Sequence, residues 1–174
     1  MTEKLVYIID ASSLIEVERL VAKDFFSPLF KSLENLIQNG NLISHEEVLT
    51  ELKRKDGTEG DIFKWAKKQK SFFKIIDELQ LSKAKEILKT FKNLIDAGKK
   101  NNADPFVISL ALIREKQQKL LQPKYTVVTE EKSKSNVNKP MIPDVCKHYN
   151  VECFDLNEFL KRELEMEIKI KNNR

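Results

Sequence analysis

The chain has 174 residues, of which 41% are hydrophobic and 33% are charged, with a formal net charge of +4. This composition is typical of a globular domain with a heavily charged surface and excludes an intrinsically disordered chain. No apolar stretch approaches the ~20 residues of a membrane span, and no secretory signal precedes the first predicted strand, so we expect one cytoplasmic domain over residues 1–174. Two cysteines and two histidines are too few for a disulfide framework or histidine-based catalysis, so any chemistry is expected to use carboxylates.

Apolar periodicity and turn signals predict the following elements in chain order. In the first half they are a strand at Leu5–Ile9, a helix to about Leu20, a helix over about Phe26–Gln38 and an apolar segment at Leu42-Ile43. A helix then runs from the Ser44 capping box through Leu52, and another covers 59–70. In the second half they are a strand at Phe72–Ile76, helices at about Ser82–Ile95 and Phe106–Glu115, a strand at Tyr125–Thr129, a helix from Pro143 to about His148, a strand at Val151–Phe154 and a charged C-terminal helix over about 156–174.

Strands and helices alternate along the whole chain. This alternation favours an α/β fold, with three α/β/α layers around a mostly parallel central sheet. Ser13 and Ser44 each open a Ser-x-x-Glu pattern, so each is predicted to cap the helix that follows it.

Acidic residues lie where predicted strands end or helices begin. Asp10 directly follows the first strand, Glu130 and Glu131 follow the strand before them, Asp104 opens an apolar helix, and Glu51 lies on the helix after the second apolar segment. Ligands bind at the carboxyl ends of the strands in such sheets, so we expect these carboxylates to converge at one edge.

Converging carboxylates repel one another unless a cation lies between them. Two carboxylates ~4 Å apart repel by roughly 4 kcal/mol at an effective dielectric near 20. A site with only oxygen ligands suits Mg²⁺ or Mn²⁺, and such an ion activates water for attack on a phosphodiester. The acids therefore predict a metal-dependent hydrolase.

Each acid also has a structural interpretation. Asp10 and Asp104 are placed to cap the helices after them, Glu51 is placed to pair with Lys55 one turn later, and Asp144 suits the first turn of a helix. The order and context of the set, rather than any single acid, favour the metal site.

A basic stretch separates two of the acids. Residues 52–74 hold eight basic residues against three acidic ones. This stretch is either a solvated helical face or a patch for a phosphate backbone, and the sequence leaves both open. Trp65, between Lys64 and Lys67, is the aromatic residue best placed to stack on an unpaired base.

Four segments, taken in order, resemble the PIN-domain ribonucleases. They are Ile8–Ile15 (IIDASSLI), Val48–Leu52 (VLTEL), Ala103–Ile108 (ADPFVI) and Val127–Glu131 (VVTEE). The resemblance covers about residues 5–155 and implies a PIN-like fold with a magnesium- or manganese-dependent endoribonuclease activity on RNA. Many small bacterial members are toxins held inactive by an antitoxin protein, so an antitoxin is the expected protein partner.

The resemblance also assigns roles to single residues. The acids that it assigns to the catalytic metal site are Asp10, Glu51, Asp104 and Glu131, with Asp144 as a further carboxylate. Ser12 and Thr129 would orient ligands or contact the phosphate of the substrate. The family's fourth acid follows a threonine by two positions, which selects Glu131 over Glu130. It is glutamate where aspartate is usual, so the choice between the two stays open.

The chain departs from the smallest family members by a helical insertion over about 56–100. The sequence leaves open whether the chain forms a homodimer, which RNA it cuts and whether it holds one metal ion or two. One alternative function is a catalytically inactive PIN-like module that binds RNA or a partner, which the glutamate at the fourth position motivates. Another is a different carboxylate-metal phosphohydrolase on the same architecture.

Overall fold

The fold is built on a central parallel sheet of five strands. The computed structural model describes residues 5–20, 26–54, 56–95, 102–116, 123–133 and 139–164. The strands are β1 (Leu5–Ile9), β2 (Leu42–His45), β3 (Phe73–Lys74), β4 (Lys124–Val128) and β5 (Glu152–Phe154). They lie in the order β3-β2-β1-β4-β5, and every pairing is parallel. The predicted α/β fold class is thereby confirmed.

Helices flank this sheet and complete the three-layer arrangement. In the described residues they are α1 (Ala11–Leu20), α2 (Phe26–Gln38), α3 (Glu46–Glu51), α4 (Asp61–Lys68), α5 (Glu78–Thr90), α6 (Asp104–Lys116), α7 (Ile142–His148) and α8 (Leu156–Leu164). Among these helices, none combines the length and apolar character that crossing a bilayer requires. The predicted C-terminal helix is present to Leu164, and the rest of it lies outside the described residues.

The central strand β1 positions the functional edge of the sheet. Tyr7, Ile8 and Ile9 are fully buried, as expected for a central strand covered by helices on both faces. Ile9 is in register with Val128 of β4, so β1 and β4 end at the same level. The chain adds β2 and β3 on one side of β1, and β4 and β5 on the other. The carboxyl ends of β1 and β4 therefore form the switch point at which such sheets bind ligands.

The predicted serine cap of the first helix is wrong. Helix α1 begins at Ala11, directly after β1, so Asp10 lies at the capping position and its Oδ2 accepts a hydrogen bond from Ser12 N at 3.3 Å. Ser13 is therefore inside the helix, where it is buried. The strand passes into the helix without a loop, so the first residue after the strand supplies the cap.

The predicted serine cap of the third helix is wrong for the same reason. Strand β2 extends through Ser44, whose Oγ donates to the carbonyl oxygen of Ile9 at 2.7 Å. His45 is the residue before α3, and its Nδ1 accepts a hydrogen bond from Glu47 N at 3.2 Å. The imidazole takes the place that the Ser-x-x-Glu pattern gave to a serine.

The segment predicted as a helical insertion also contributes to the sheet. Besides α4 and α5 it contains β3, which pairs with β2 and forms one edge of the sheet. Helix α5 begins at Glu78, earlier than the predicted Ser82, because Asp77 Oδ1 caps it by accepting a hydrogen bond from Gln80 N at 2.7 Å.

Candidate metal centre

Three carboxylates that are distant in the sequence meet at the switch point of the sheet. Asp10 follows β1, Glu51 ends α3 and Asp104 begins α6. One carboxylate oxygen from each lies within 4.8 Å of the other two. The fold therefore brings together three of the acids that the sequence predicted, and we call Asp10, Glu51 and Asp104 the three-acid group.

Asp10 is the buried member of this group, with 3% of its surface exposed. Its Oδ2 accepts hydrogen bonds from Ser12 N at 3.3 Å, Ser12 Oγ at 2.7 Å and Thr129 Oγ1 at 3.2 Å. Its Oδ1 is also buried, and within the described residues it has no hydrogen-bond partner. Leaving a buried acceptor unsatisfied costs about 1–3 kcal/mol, and more for a charged group. The unpartnered oxygen is therefore a strong reason to expect a ligand.

The hydroxyl groups of Ser12 and Thr129 both bond Asp10 Oδ2 and so orient the carboxylate. Ser12 Oγ accepts a hydrogen bond from Glu130 N at 3.0 Å, and Thr129 Oγ1 accepts one from Glu131 N at 3.1 Å. Each hydroxyl can then direct its own proton to Asp10 Oδ2. This arrangement fixes the orientation of the Asp10 carboxylate. The predicted roles of Ser12 and Thr129, orienting a metal ligand or contacting a substrate phosphate, stay predictions.

Glu51 and Asp104 are connected through the backbone at the start of α6. Glu51 Oε1 accepts a hydrogen bond from Ala103 N at 2.9 Å, which fastens the end of α3 to the start of α6. Asp104 is the first residue of α6 rather than its cap. Lys55, the predicted ion-pair partner of Glu51, lies outside the described residues.

Glu131 and Asp144 lie outside the three-acid group and contact the start of α7. Glu131 Oε2 accepts a hydrogen bond from Ile142 N at 2.9 Å, and Asp144 Oδ2 accepts one from Met141 N at 2.9 Å. Asp144 Oδ1 also accepts a hydrogen bond from Ser133 Oγ. Backbone N–H groups at the start of a helix attract carboxylates, which explains this placement. Metal binding by these two acids stays a prediction.

Glu130, the other choice for the fourth acid, has a similar position at another helix. Its Oε1 accepts a hydrogen bond from Leu156 N, the first residue of α8, at 2.7 Å. Both glutamates after β4 therefore bond the first residues of helices that follow later in the chain. The sequence alone therefore does not show which of the two glutamates binds a metal and which caps a helix.

His45 is a supporting residue that the sequence argument missed. Its ring is fully buried and stacks on Phe106 of α6, with ring centroids 5.0 Å apart and planes 9° apart. Burial lowers the pKa of His45 to about 4, so the ring is neutral near pH 7. His45 thus caps the helix that ends at Glu51 and packs on the helix that begins at Asp104. Its position just after the predicted apolar segment and directly before a helix, similar to that of Asp10 after β1, was the available signal.

Trp65 is half-buried and packs against the hydrophobic core. Its ring makes edge contacts with Phe30 at 4.7 Å and Phe72 at 6.1 Å between centroids. Its Nε1 donates a hydrogen bond to Glu34 Oε1 at 2.9 Å. These contacts hold one side of the ring against the protein, and stacking of Trp65 on an unpaired base stays a prediction.

The basic side chains of α4 remain on the surface. Lys64 and Lys68 are exposed, and Lys67 is paired with Glu59 at 3.3 Å. Helix α4 contacts α1 and α3. Helix α1 begins next to Asp10, and α3 ends at Glu51. The cationic face is thus carried by a helix that packs on α1 and α3, two of the three helices next to the three-acid group.

A family model described as "Domain of unknown function (DUF4411)" matches residues 7–167. The chain belongs to the DUF4411 family. The matched range includes every residue of the three-acid group, so the DUF4411 domain contains the whole candidate metal centre. Comparisons of this DUF4411 chain with curated proteins and with solved structures find no match.

Proposed function

We propose that this DUF4411 protein is a metal-dependent endoribonuclease in which Asp10, Glu51 and Asp104 bind Mg²⁺ or Mn²⁺. The observation that carries the proposal is that oxygens of three carboxylates lie within 4.8 Å of one another. One of these carboxylates, Asp10, also has a buried oxygen, Oδ1, with no hydrogen-bond partner among the described residues. The motif resemblance to PIN-domain ribonucleases gives the reaction and the substrate class.

The charge and the donor atoms of the site both fit a hard divalent cation. At the observed separation, each pair of carboxylates repels by roughly 3 kcal/mol at an effective dielectric near 20. The three donors are all carboxylate oxygens, which suit Mg²⁺ and Mn²⁺ better than softer metals. Mg²⁺ keeps several waters when few protein ligands are present, which leaves room for a substrate phosphate.

The three acids differ in how far solvent reaches them. Asp10 is buried and held by two hydroxyl groups, whereas Glu51 and Asp104 are half-buried and reachable from solvent. A phosphodiester would approach from the side of these two acids. When bound, a divalent cation supplies an activated water and neutralises charge on the phosphate oxygens.

The exposed lysines of α4 support RNA as the substrate. Cationic side chains neutralise phosphates and steer a polyanion toward its site. Lys64 and Lys68 offer this charge on a helix that packs on α1 and α3. The family resemblance extends the proposal to a cytoplasmic toxin that an antitoxin protein inhibits.

The test is cleavage of a mixed RNA pool with Mg²⁺ or Mn²⁺ by the wild type, Asp10→Asn and Asp104→Asn. We expect metal-dependent cleavage by the wild type. In both variants the cleavage rate should fall by more than ~100-fold, which exceeds the 10–100-fold loss typical when a residue that only hydrogen-bonds to a metal ligand is changed. Asp56→Asn, on an exposed turn, is the matched control and should cut normally. Equal cleavage by all four proteins would remove the assigned site.

A second candidate function is a binding module without catalysis. It is favoured by the position of Glu131, which bonds Ile142 N at the start of α7 and lies outside the three-acid group. Salt-dependent retention of RNA with no cleavage under either metal would support this function over the nuclease.

A further inference from the structure

We propose that Arg54, Lys64 and Lys68 form a cationic row that binds successive phosphates of single-stranded RNA, with Arg54 at the end nearest the three-acid group. This inference rests on the proposed function, because it assigns a substrate class and a path to the same site. Its new element is Arg54, which lies outside the four segments that resemble the PIN-domain ribonucleases.

Arg54 is close in the chain to one acid of the candidate metal centre. It follows Glu51, the last residue of α3, by three positions, so the two α carbons are at most about 11 Å apart. Arg54 N donates to the carbonyl oxygen of Thr58 at 3.3 Å, and Gly57 N donates to that of Arg54 at 2.8 Å. The backbone thus holds Arg54 near Glu51, while its side chain is 59% exposed.

The guanidinium of Arg54 occupies the space of a side chain at Gly60. A Cβ built on Gly60 would lie 3.3 Å from both Nε and Nη2 of Arg54 and 2.8 Å from Glu18 Oε1. The same Glu18 oxygen is 3.8 Å from Arg54 Nη2 and accepts a hydrogen bond from Ile62 N at 3.2 Å. Glu18 therefore connects Arg54 to the start of α4, and the lack of a side chain at Gly60 makes room for the pair.

This placement makes Arg54 part of a row along α4. Gly60, Lys64 and Lys68 are spaced by four residues, so they share one face of the helix at about 6 Å per step. Lys64 N donates to the carbonyl oxygen of Gly60 at 3.1 Å, so the spacing already holds at the first step. Lys64 and Lys68 are exposed. Because Arg54 fills the side-chain position of Gly60, it adds a third cation to the row.

The surroundings of the cationic row carry an excess of positive charge. Lys53 Nζ and Lys67 Nζ each lie 5.6 Å from the centroid of the Phe63 ring. The acids nearby are Glu59, which pairs with Lys67 at 3.3 Å, and Asp61 in the first turn of α4. Over residues 52–74 eight basic residues outnumber three acidic ones, so this surface attracts a polyanion.

A straight, evenly spaced row of cations suits a single strand better than a duplex. Successive phosphates of an extended strand are a comparable distance apart, whereas those of a duplex strand wind around the helix axis. Arginine binds a phosphate through two parallel N–H groups, and lysine binds it as a point charge. Exposed ion pairs such as that of Arg54 with Glu18 contribute little to stability, so Arg54 has N–H groups to offer a phosphate.

The experiment measures the binding of an unstructured uridine oligonucleotide, and of an RNA duplex of the same length, to the full chain in EDTA over a salt series. We expect tighter binding of the single strand. Arg54→Gln should weaken that binding by about 10-fold and lower the slope of log affinity against log salt by about 1. Arg54→Lys should keep the slope and recover only part of the affinity, because lysine lacks the two parallel donors.

Gly60→Ala tests the position of Arg54 without changing any charge. Gly60 has a φ of −68°, which alanine adopts freely, so the added methyl group acts by displacing Glu18 and Arg54. We expect this variant to bind the oligonucleotide several-fold more weakly than the wild type. The matched control is Arg162→Gln, which removes another exposed arginine that pairs with a glutamate, Glu158, at 3.0 Å, and it should bind as the wild type does.

Four outcomes would overturn the proposal: no binding of the oligonucleotide, wild-type affinity in Arg54→Gln or in Gly60→Ala, an equal loss in Arg162→Gln, or tighter binding of the duplex. The measurement excludes metal, so its result is separate from that of the cleavage assay. RNA that is bound through Arg54 but never cut would reject the nuclease and keep the cationic row. Cleavage by the wild type with unchanged RNA affinity in Arg54→Gln would keep the nuclease and reject the cationic row.

Discussion

The two oxygens of the Asp10 side chain have different surroundings. Oδ2 accepts three hydrogen bonds from Ser12 and Thr129, whereas Oδ1 is buried without a hydrogen-bond partner in the described part of the chain. The hydrogen bonds fix the orientation of the carboxylate. Under the proposed function, the second oxygen binds the cation together with Glu51 and Asp104. This division of roles within one side chain gives the first prediction.

We expect Asp10→Asn to lose metal binding without losing the fold. An asparagine can keep its carbonyl oxygen toward Ser12 and Thr129 and turn its NH₂ toward the two remaining carboxylates, which also relieves repulsion. The metal-free melting temperature should therefore equal or exceed that of the wild type, while the rise that Mn²⁺ causes in the wild type should disappear. Thermal unfolding with EDTA or MnCl₂ measures both, and a retained Mn²⁺ shift would contradict this role of Asp10.

Removing the hydroxyl of Ser12 or Thr129 should weaken metal binding and leave the fold intact. Ser12→Ala and Thr129→Val each remove one hydrogen bond to Oδ2, so we expect the Mn²⁺ dissociation constant to rise by about 10-fold in each variant. Both hydroxyls act on the same atom, so the effects in the double variant should not be additive. Calorimetric titration of the four proteins checks this, and affinities equal to the wild type would show that the hydroxyls do not orient a ligand.

Because His45 is buried, the free energy of unfolding should depend on pH. Its pKa is about 4 in the folded protein against 6.5 for the free side chain, so the unfolded chain binds the proton more tightly. The neutral ring's contribution is complete above pH 6.5 and is lost as the pH falls toward 4, by up to about 3 kcal/mol.

His45→Asn tests this contribution while keeping a good cap for α3. Urea unfolding between pH 7 and pH 4 should show a steeper loss of unfolding free energy in the wild type than in the variant. Parallel curves for the two proteins would mean that His45 does not titrate on unfolding. Carboxylates that titrate in both proteins cancel in the comparison.

At the residue scale, sequence reasoning found the three-acid group but not the destination of every acid. Asp10, Glu51 and Asp104 were recoverable because each follows a strand end or begins an apolar helix. Glu131 and Asp144 contact backbone N–H groups of Met141 and Ile142, and a sequence does not distinguish a carboxylate aimed at a helix start from one aimed at a metal.

At the element scale, apolar periodicity predicted the strands and helices well, and the errors fall at helix starts. Helix α2 was predicted with its observed bounds, and the Asn39-Gly40 pair after its last residue is a clear stop signal. Helices α1 and α3 begin directly at strand ends, so Asp10 and His45 displaced the serines that the capping-box pattern favours. Whether a strand passes into a helix without a loop depends on the sheet, which local patterns do not contain.

The cationic face of α4 gives a prediction about RNA affinity. Changing Lys64 and Lys68 to alanine should weaken RNA binding for all sequences and lower the slope of log affinity against log salt by about 2, one for each phosphate contact. Filter binding in an Asp104→Asn background, which prevents cleavage, measures both quantities over a salt series.

The matched control for this prediction is the pair Lys85→Ala and Lys89→Ala, two exposed lysines on α5. These changes remove the same charge from another helix, and the RNA affinity should stay close to that of the parent. If both double variants weaken binding equally, the effect is one of net charge and α4 is not a specific RNA-binding face.

At the scale of the whole molecule, strand order creates the site. Asp10 and Asp104 are far apart in the chain, and they meet because β2 and β3 are added on one side of β1 while β4 and β5 are added on the other. The alternation of elements predicted this fold class from sequence. The insertion over about 56–100 supplies the edge strand β3, which lies within the strand predicted at Phe72–Ile76 and is shorter than predicted.

Anomalous diffraction from crystals soaked in MnCl₂ shows directly whether the three acids hold a divalent cation. We expect a manganese peak in contact with Asp10 Oδ1, Glu51 and Asp104 in the wild type and none there in Asp10→Asn. A fully soaked wild-type crystal with no peak at these oxygens, or with manganese only at Glu131 and Asp144, would contradict this expectation.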